Sequence, residues 1–154
     1  MNATVQILVF RAAGRTFGIP LSQAERVIPC VSCTPLPNAP EIVLGVIDLH
    51  GLIVPVFDVG TRCGLPSRDL RLEDQFVIAH DGHRTVALLV DCAVGVVDRA
   101  IMPAHLILPY LDGVAGVTRF EDGLILIHDL ERFLSAEEDA ALTDALAHEQ
   151  ARDS

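Results

Sequence analysis

Short runs of Val, Ile, Leu and Phe, about five to eight residues long and interrupted at close intervals by turns containing glycine or proline, recur through most of this chain. Segments so brief have no room for long helices, so the pattern predicts a mainly β protein built as a small barrel or sandwich. Val5 to Phe10 and Thr16 to Pro20 flank Ala13-Gly14, Phe76 to His80 and Thr85 to Val90 flank Asp81-Gly82, and Val114 to Phe120 and Leu124 to His128 flank Asp122-Gly123. Asp-Gly supplies the positive φ that tight hairpin turns require, so three hairpins are expected. A fourth strand pair, Gly45 to Leu49 with Leu52 to Val59, meets at His50-Gly51. Pro55 interrupts its second strand and, having no N–H for a ladder, marks an edge or a bulge there.

Helical signals are few. Asn38-Ala39-Pro40-Glu41 reads as an N-cap with proline in the first turn and glutamate at the third position, and predicts one or two helical turns from Ala39 to Leu44. Ser135 and Glu138 form a second capping box, followed by an Ala- and Glu-rich segment with Leu142 and Leu146 on one face, so a C-terminal helix is expected. Counting runs gives about ten strands, split into two comparable groups by the polar stretch from Gly64 to Asp69, which suggests two small barrels.

A chain of 154 residues makes one globular body or two small subdomains packed together, and 51% hydrophobic against 21% charged residues is enough apolar matter to fold. The formal charge of -10 arises from 21 acidic residues against 11 arginines and no lysine, a balance that repels phosphate backbones and anionic lipid head groups. Nucleic acid and membrane surfaces are therefore not expected partners. The apolar runs fall well short of the ~20 residues that span a bilayer, and no basic segment precedes an apolar stretch at the N-terminus, so a cytoplasmic protein is expected. Cys30, Cys33, Cys63 and Cys92 lie in or beside apolar segments and read as reduced thiols.

Reactive constellations are sparse. Cys30-Val31-Ser32-Cys33 has thiolate-pair spacing, but a structural zinc site needs four ligands, and redox use calls for a helix-opening motif in a βαβ unit. His50 with Asp48 and Asp58 could be drawn as an acid/base or metal group, giving a small hydrolase as the rival reading. His128 beside Asp129 reads more simply as a turn or rim residue, and His80 and His83 bracket a turn and point in poorly convergent directions. With no phosphate loop, nucleophile elbow or His-Glu-x-x-His helix, no catalytic residue, metal ligand or cofactor is assigned.

The segments Thr34 to Glu41 and Gly45 to Val59 together resemble the signature of the CheW-type chemotaxis coupling proteins. Phe17 to Leu21, Val86 to Asp91 and Tyr110 to Val114 resemble other strands and a late turn of that family, in the same order, so the likeness runs from Ile7 to Leu134. It implies two intertwined five-stranded SH3-like barrels in a single domain over residues 5–134, one subdomain at about 15–70 and the other at about 5–14 plus 75–134, with a helix and tail at 135–154. It also implies a non-enzymatic adaptor of two-component signalling, at receptor arrays under the inner membrane, joining the cytoplasmic tips of methyl-accepting receptors to the regulatory domain of a chemotaxis histidine kinase. By resemblance, receptor contacts fall on Ala24, Arg26, Val27, Gly45, His50 and Leu89, and kinase contacts on Val54 and Val56. Where the family usually has Asn-Leu-Arg-Gly, this chain has Asp48-Leu49-His50-Gly51, exchanging a bidentate guanidinium for an imidazole. Ala24 and Arg26 replace an aliphatic residue and a glutamate, and the connection from Ile101 to Tyr110 is short. These departures point to a divergent coupling protein with its own receptor and kinase set; an adaptor of a non-flagellar system such as twitching motility is a rival reading that the sequence does not distinguish from it.

Overall fold

All four expected hairpins form, and their turn residues show why. The computed structural model describes residues 4–62, 64–66, 69–103, 114–121 and 123–152. Strands β1 (Val5–Ala12) and β2 (Arg15–Pro20) are joined by Ala13 and Gly14 at φ 52° and 77°, the left-handed pair of a two-residue turn matched to strand twist. After β3 (Ala24–Pro29), strands β4 (Val43–Leu49) and β5 (Leu52–Asp58) turn at His50 and Gly51, with φ 54° and 89°. The Asp48 carboxylate steadies this turn by accepting from the Gly51 N–H at 2.7 Å. Between β6 (Gln75–His80) and β7 (Thr85–Val90) the turn is longer, and Asp81 holds it by accepting from the His83 and Arg84 N–H groups at 2.9 and 2.8 Å. Strands β8 (Cys92–Arg99) and β9 (Met102–Pro103) precede the last hairpin, β10 (Val114–Phe120) with β11 (Gly123–His128). There Phe120 pairs with Gly123, so Gly123 belongs to the strand, and Glu121 takes the positive φ of 51°. Asp122, Cys63 and the segment from Tyr110 to Gly113, with most of the connection leading to it, lie outside the described residues.

The strands make two sheets, six-stranded in the order β8-β1-β2-β11-β10-β9 and five-stranded in the order β3-β6-β7-β5-β4. Because the chain starts in one sheet, builds the other and then returns, the two barrels are intertwined. The sheets do not divide at the polar stretch expected to separate them. Strand β2 stays with β1, to which it bonds residue by residue, while β6 and β7 complete the sheet begun by β3. The parallel pair β5 and β7 needs a crossover, and the stretch around 64–74 with β6 provides it. At the start of that crossover stands one helical turn, α1 (Val59–Arg62).

Pro55 behaves as a local edge. Val46 spends its own N–H and C=O on Thr34, both at 2.8 Å, so its partner Pro55 is a non-bonded pair whose missing N–H faces away from β4. On that side pairing with β7 begins only at Val56.

The helix expected over Ala39 to Leu44 does not form. Asn38 sits at φ 67°, whereas an N-cap needs extended backbone. Two turns occupy the segment instead, closed by Ala39 N–H to Leu36 O at 3.4 Å and Val43 N–H to Pro40 O at 2.9 Å, and Val43 opens β4. The C-terminal helix α2 (Ala136–Arg152) forms as expected, with Ser135 Oγ accepting from Glu138 N–H at 3.1 Å and Glu138 Oε1 accepting from Ser135 N–H at 2.9 Å.

Two-sided burial explains why the strands read as unbroken apolar runs. In β7, Ala87 and Leu89 fill the five-stranded barrel with Ile47, Val54, Val56, Phe76 and Ile78, while Val86, Leu88 and Val90 face a core common to both sheets. In β1, Ile7 and Val9 pack with Ile125 and Ile127 in the six-stranded barrel, and Leu8, Phe10 and Ala12 join the common core. That core also takes Phe17, Ile19, Phe57 and Val77, and it is closed by Phe133, Leu142 and Ala145. Each fully buried large side chain contributes about 1.5–3 kcal/mol through removal from water.

Candidate docking faces

The residues assigned by resemblance do not form one exposed patch. Ala24 and Val27 are half-buried against the common core, on β3, an edge strand of the five-stranded sheet. Arg26 is exposed beside a register shift in the β3–β6 pairing, which turns this short edge strand outward. His50 is exposed at the β4–β5 turn. Gly45 is buried because a Cβ there would stand 2.5 Å from the carbonyl oxygen of Thr34. Val54 and Val56 are 0% exposed and Leu89 is 3% exposed, all in one barrel core. Val54, Val56 and Leu89 thus present almost no side-chain surface. These residues alternate onto the inward face of β5 and β7, neighbouring strands inside the sheet.

The hydrolase constellation is not assembled. Asp58 and His50 sit at opposite ends of β5, which rises roughly 20 Å over its length. Asp48 is committed to its turn, and Asp58 Oδ1 accepts from the Thr61 N–H at 3.3 Å. His128 is 1% exposed, with its ring 5.3 Å from that of Phe17 and 5.5 Å from that of Phe133. His80 Nδ1 accepts from Gly82 N–H at 3.0 Å. Among the described residues, no three His, Cys, Asp or Glu side chains are grouped to hold a metal ion. Cys30, Cys33 and Cys92 are free thiols. Burial, reinforced by the neighbouring Cys30, pushes the Cys33 thiol above its ordinary pKa, the reverse of what a reactive thiolate needs.

Two depressions, one on each barrel, carry exposed apolar side chains. The first, about 440 Å³, is lined by Cys30, Val31, Leu70 and Leu72, with Arg71 alongside. Val31 is 50% and Leu72 is 99% exposed, while Cys30 and Leu70 pack inward on the core that holds Val54 and Val56. The second, about 400 Å³, is lined by Val94, Phe120 and Leu124 with a rim of Arg11 and Glu121. Val94 is 48% and Leu124 is 57% exposed, more than packing alone requires. Sequence reasoning missed both. Leu72, an aliphatic residue between Arg71 and Glu73, is the one signal that could have been read; Val94 is hidden inside a run that is apolar throughout. No described helix is long and apolar enough to cross a membrane.

Comparison with known proteins agrees with this architecture. A family model described as the CheW-like domain matches residues 6–138. A chemotaxis protein CheW from Rhizobium meliloti (strain 1021) is 28% identical over 142 residues, covering 89% of this chain and 92% of the relative. The chemotaxis protein CheW of Klebsiella aerogenes is 26% identical over 153 residues, covering 92% of this chain and 88% of its own. Among solved structures, the crystal structure of the scaffolding protein TtCheW from Thermoanaerobacter tengcongensis superposes with a TM-score of 0.76 at 26% identity, covering 90% of this chain and 96% of that one.

Proposed function

This chain belongs to the CheW-like domain family, and on that premise we propose that it works as the coupling piece between a chemoreceptor tip and the regulatory domain of a histidine kinase. Its function is that of a non-enzymatic chemotaxis adaptor with a mainly β, SH3-like architecture. The observation that carries the coupling role is that one barrel exposes two distinct features, the apolar depression at Val31 and Leu72 and the β3 edge with the β4–β5 turn, since a coupler must hold two partners at once.

The depression at Val31 and Leu72 takes the kinase domain, because its floor rests on the core containing Val54 and Val56. The receptor tip is met along the β3 edge and the β4–β5 turn, where Arg26 and His50 are exposed and Ala24 and Val27 are partly so. Arg26 and His50 select receptor tips whose charge differs from those met by members carrying glutamate and arginine there. The site of action is the cytoplasmic face of the inner membrane, at the receptor array.

Size-exclusion titration against the kinase regulatory domain and the receptor tip encoded beside this protein tests the proposal. Co-elution with both is expected, and Leu72→Asp should release the kinase domain while retaining the receptor tip. Native protein that co-elutes with neither would overturn the coupling role.

A further inference from the structure

Helix α2 is tied to the molecule across the junction of its two barrels. The chain enters it from β11, a strand of the six-stranded sheet, yet its two ion pairs are made to the other barrel. Arg62, at the end of α1 directly after β5, donates from Nη2 to both carboxylate oxygens of Glu138 at 2.7 Å. Arg84, in the β6–β7 turn, reaches Oδ1 of Asp139 at 2.8 Å and donates to Thr143 Oγ1 at 2.9 Å. Both arginine side chains are largely shielded from water, at 16% and 18% exposed. The Arg62 guanidinium also lies 5.6 Å from the ring centre of Phe133, which stacks on Phe57 of β5 at 5.5 Å and 12°.

Beyond this charged first turn, Leu142 and Ala145 are 0% and 4% exposed in the core that both sheets build. An apolar contact of that kind is non-directional. The carboxylate–guanidinium pairs are directional and fix one setting. Their placement is also well chosen electrostatically, since Glu138 and Asp139 occupy the first turn, where negative charge complements the helix dipole.

We propose that α2 is an electrostatic latch. The Arg62–Glu138 and Arg84–Asp139 pairs hold the six-stranded barrel at one setting against the five-stranded barrel, and so fix the spacing and angle of the two sheets. The consequence for signalling rests on the adaptor reading; the latch itself does not. A partner that moves one barrel then displaces the other with it as a stiff body, and a released latch absorbs the movement.

The double variant Glu138→Gln with Asp139→Asn isolates the charges. Glutamine can still accept from the Ser135 N–H, so the start of the helix is retained. Nitroxide labels carried on p-acetylphenylalanine at Glu25 of β3 and Arg119 of β10, both exposed, report the distance between the sheets and leave the native thiols in place. Pulsed electron paramagnetic resonance should give a narrow distance distribution in the native protein and one at least twice as wide in the double variant, with unchanged far-ultraviolet circular dichroism. The single variants should widen it in part, and they decide the matter if the double variant fails to fold. A folded variant lacking either pair whose distribution matches the native one overturns the latch. In binding assays, latch variants should take kinase domain or receptor tip alone within twofold of native affinity, because both docking faces lie on the five-stranded barrel. If native protein binds neither partner, the adaptor reading fails while the distance result still judges the latch.

Discussion

Gly45→Ala is a single-methyl perturbation whose cost can be worked out from the structure. The added Cβ would stand 2.5 Å from Thr34 O, 3.0 Å from its carbonyl carbon and 3.1 Å from Cys33 Cβ. Ordinary contact requires the Thr34 carbonyl to retreat by about 1 Å. That retreat pulls on both hydrogen bonds of the Thr34–Val46 bridge, each 2.8 Å long and each worth about 1 kcal/mol. Adding the overpacking cost of about 1–3 kcal/mol puts the loss at roughly 3–5 kcal/mol, or about 6–20 °C in Tm for a chain of this size. Urea unfolding followed by circular dichroism measures it, with Gly123→Ala as the control, since nothing lies within 4 Å of a Cβ there. Amide exchange should be faster at Val46, which spans the bridge, and unchanged at Leu88 in the common core. A cost below about 1 kcal/mol, or one equal to that of the control, would refute the argument that close approach of the 30–34 segment is what demands glycine.

Further outcomes follow from other sites. Leu142→Ala, at a position 0% exposed, should cost about 2–5 kcal/mol in urea unfolding and reduce helical ellipticity, because α2 is held down chiefly by that stripe. Burial pushes the Glu138 carboxyl up, but its bonds to Arg62 and Ser135, with the Arg62 charge, outweigh that and hold it below the usual glutamate range. Its contribution is thus complete above the unfolded value of about 4.3 and is lost as pH falls through the lower folded value. The stability gap between native protein and Glu138→Gln should accordingly be full at pH 7 and close in acid; a gap independent of pH would count against the pairing. At pH 8, peptide mapping should find iodoacetamide on exposed Cys92 well before Cys33, whose thiol burial holds protonated.

Local chemistry made the hairpins legible. Gly14, His50-Gly51 and Asp81 lie where the backbone must take a left-handed or side-chain-braced turn, and those demands are written in single residues. The capping box at Ser135 was readable for the same reason. Asn38 shows the limit, since asparagine suits both an N-cap and a left-handed turn, and the nearby commitment of Val43 and Val46 to strand decided for the turn. Sheet membership was not legible, because β6 follows a polar stretch that looks like a boundary and is in fact a crossover. The candidate site was read only in part. Arg26 and His50 are exposed as a contact residue must be, whereas Val54, Val56 and Leu89 lie in strands covered on both faces, a property that depends on which sheet lies opposite. Leu72 and Leu124 went unnoticed because exposure of an apolar residue depends on what fails to cover it.

The return of the chain to its first sheet also sets a timetable for synthesis. Phe17 of β2 must wait for Leu126 of β11, which leaves the ribosome about 110 residues later, or roughly 5–20 s at ordinary elongation rates. Every strand of the five-stranded sheet emerges within that interval. The strands of the five-stranded sheet, and β8 beside β1, are therefore all synthesised before β2 gains its parallel partner, and the β1–β2 hairpin that carries Phe10 and Phe17 waits with one flank unpaired until β11 arrives.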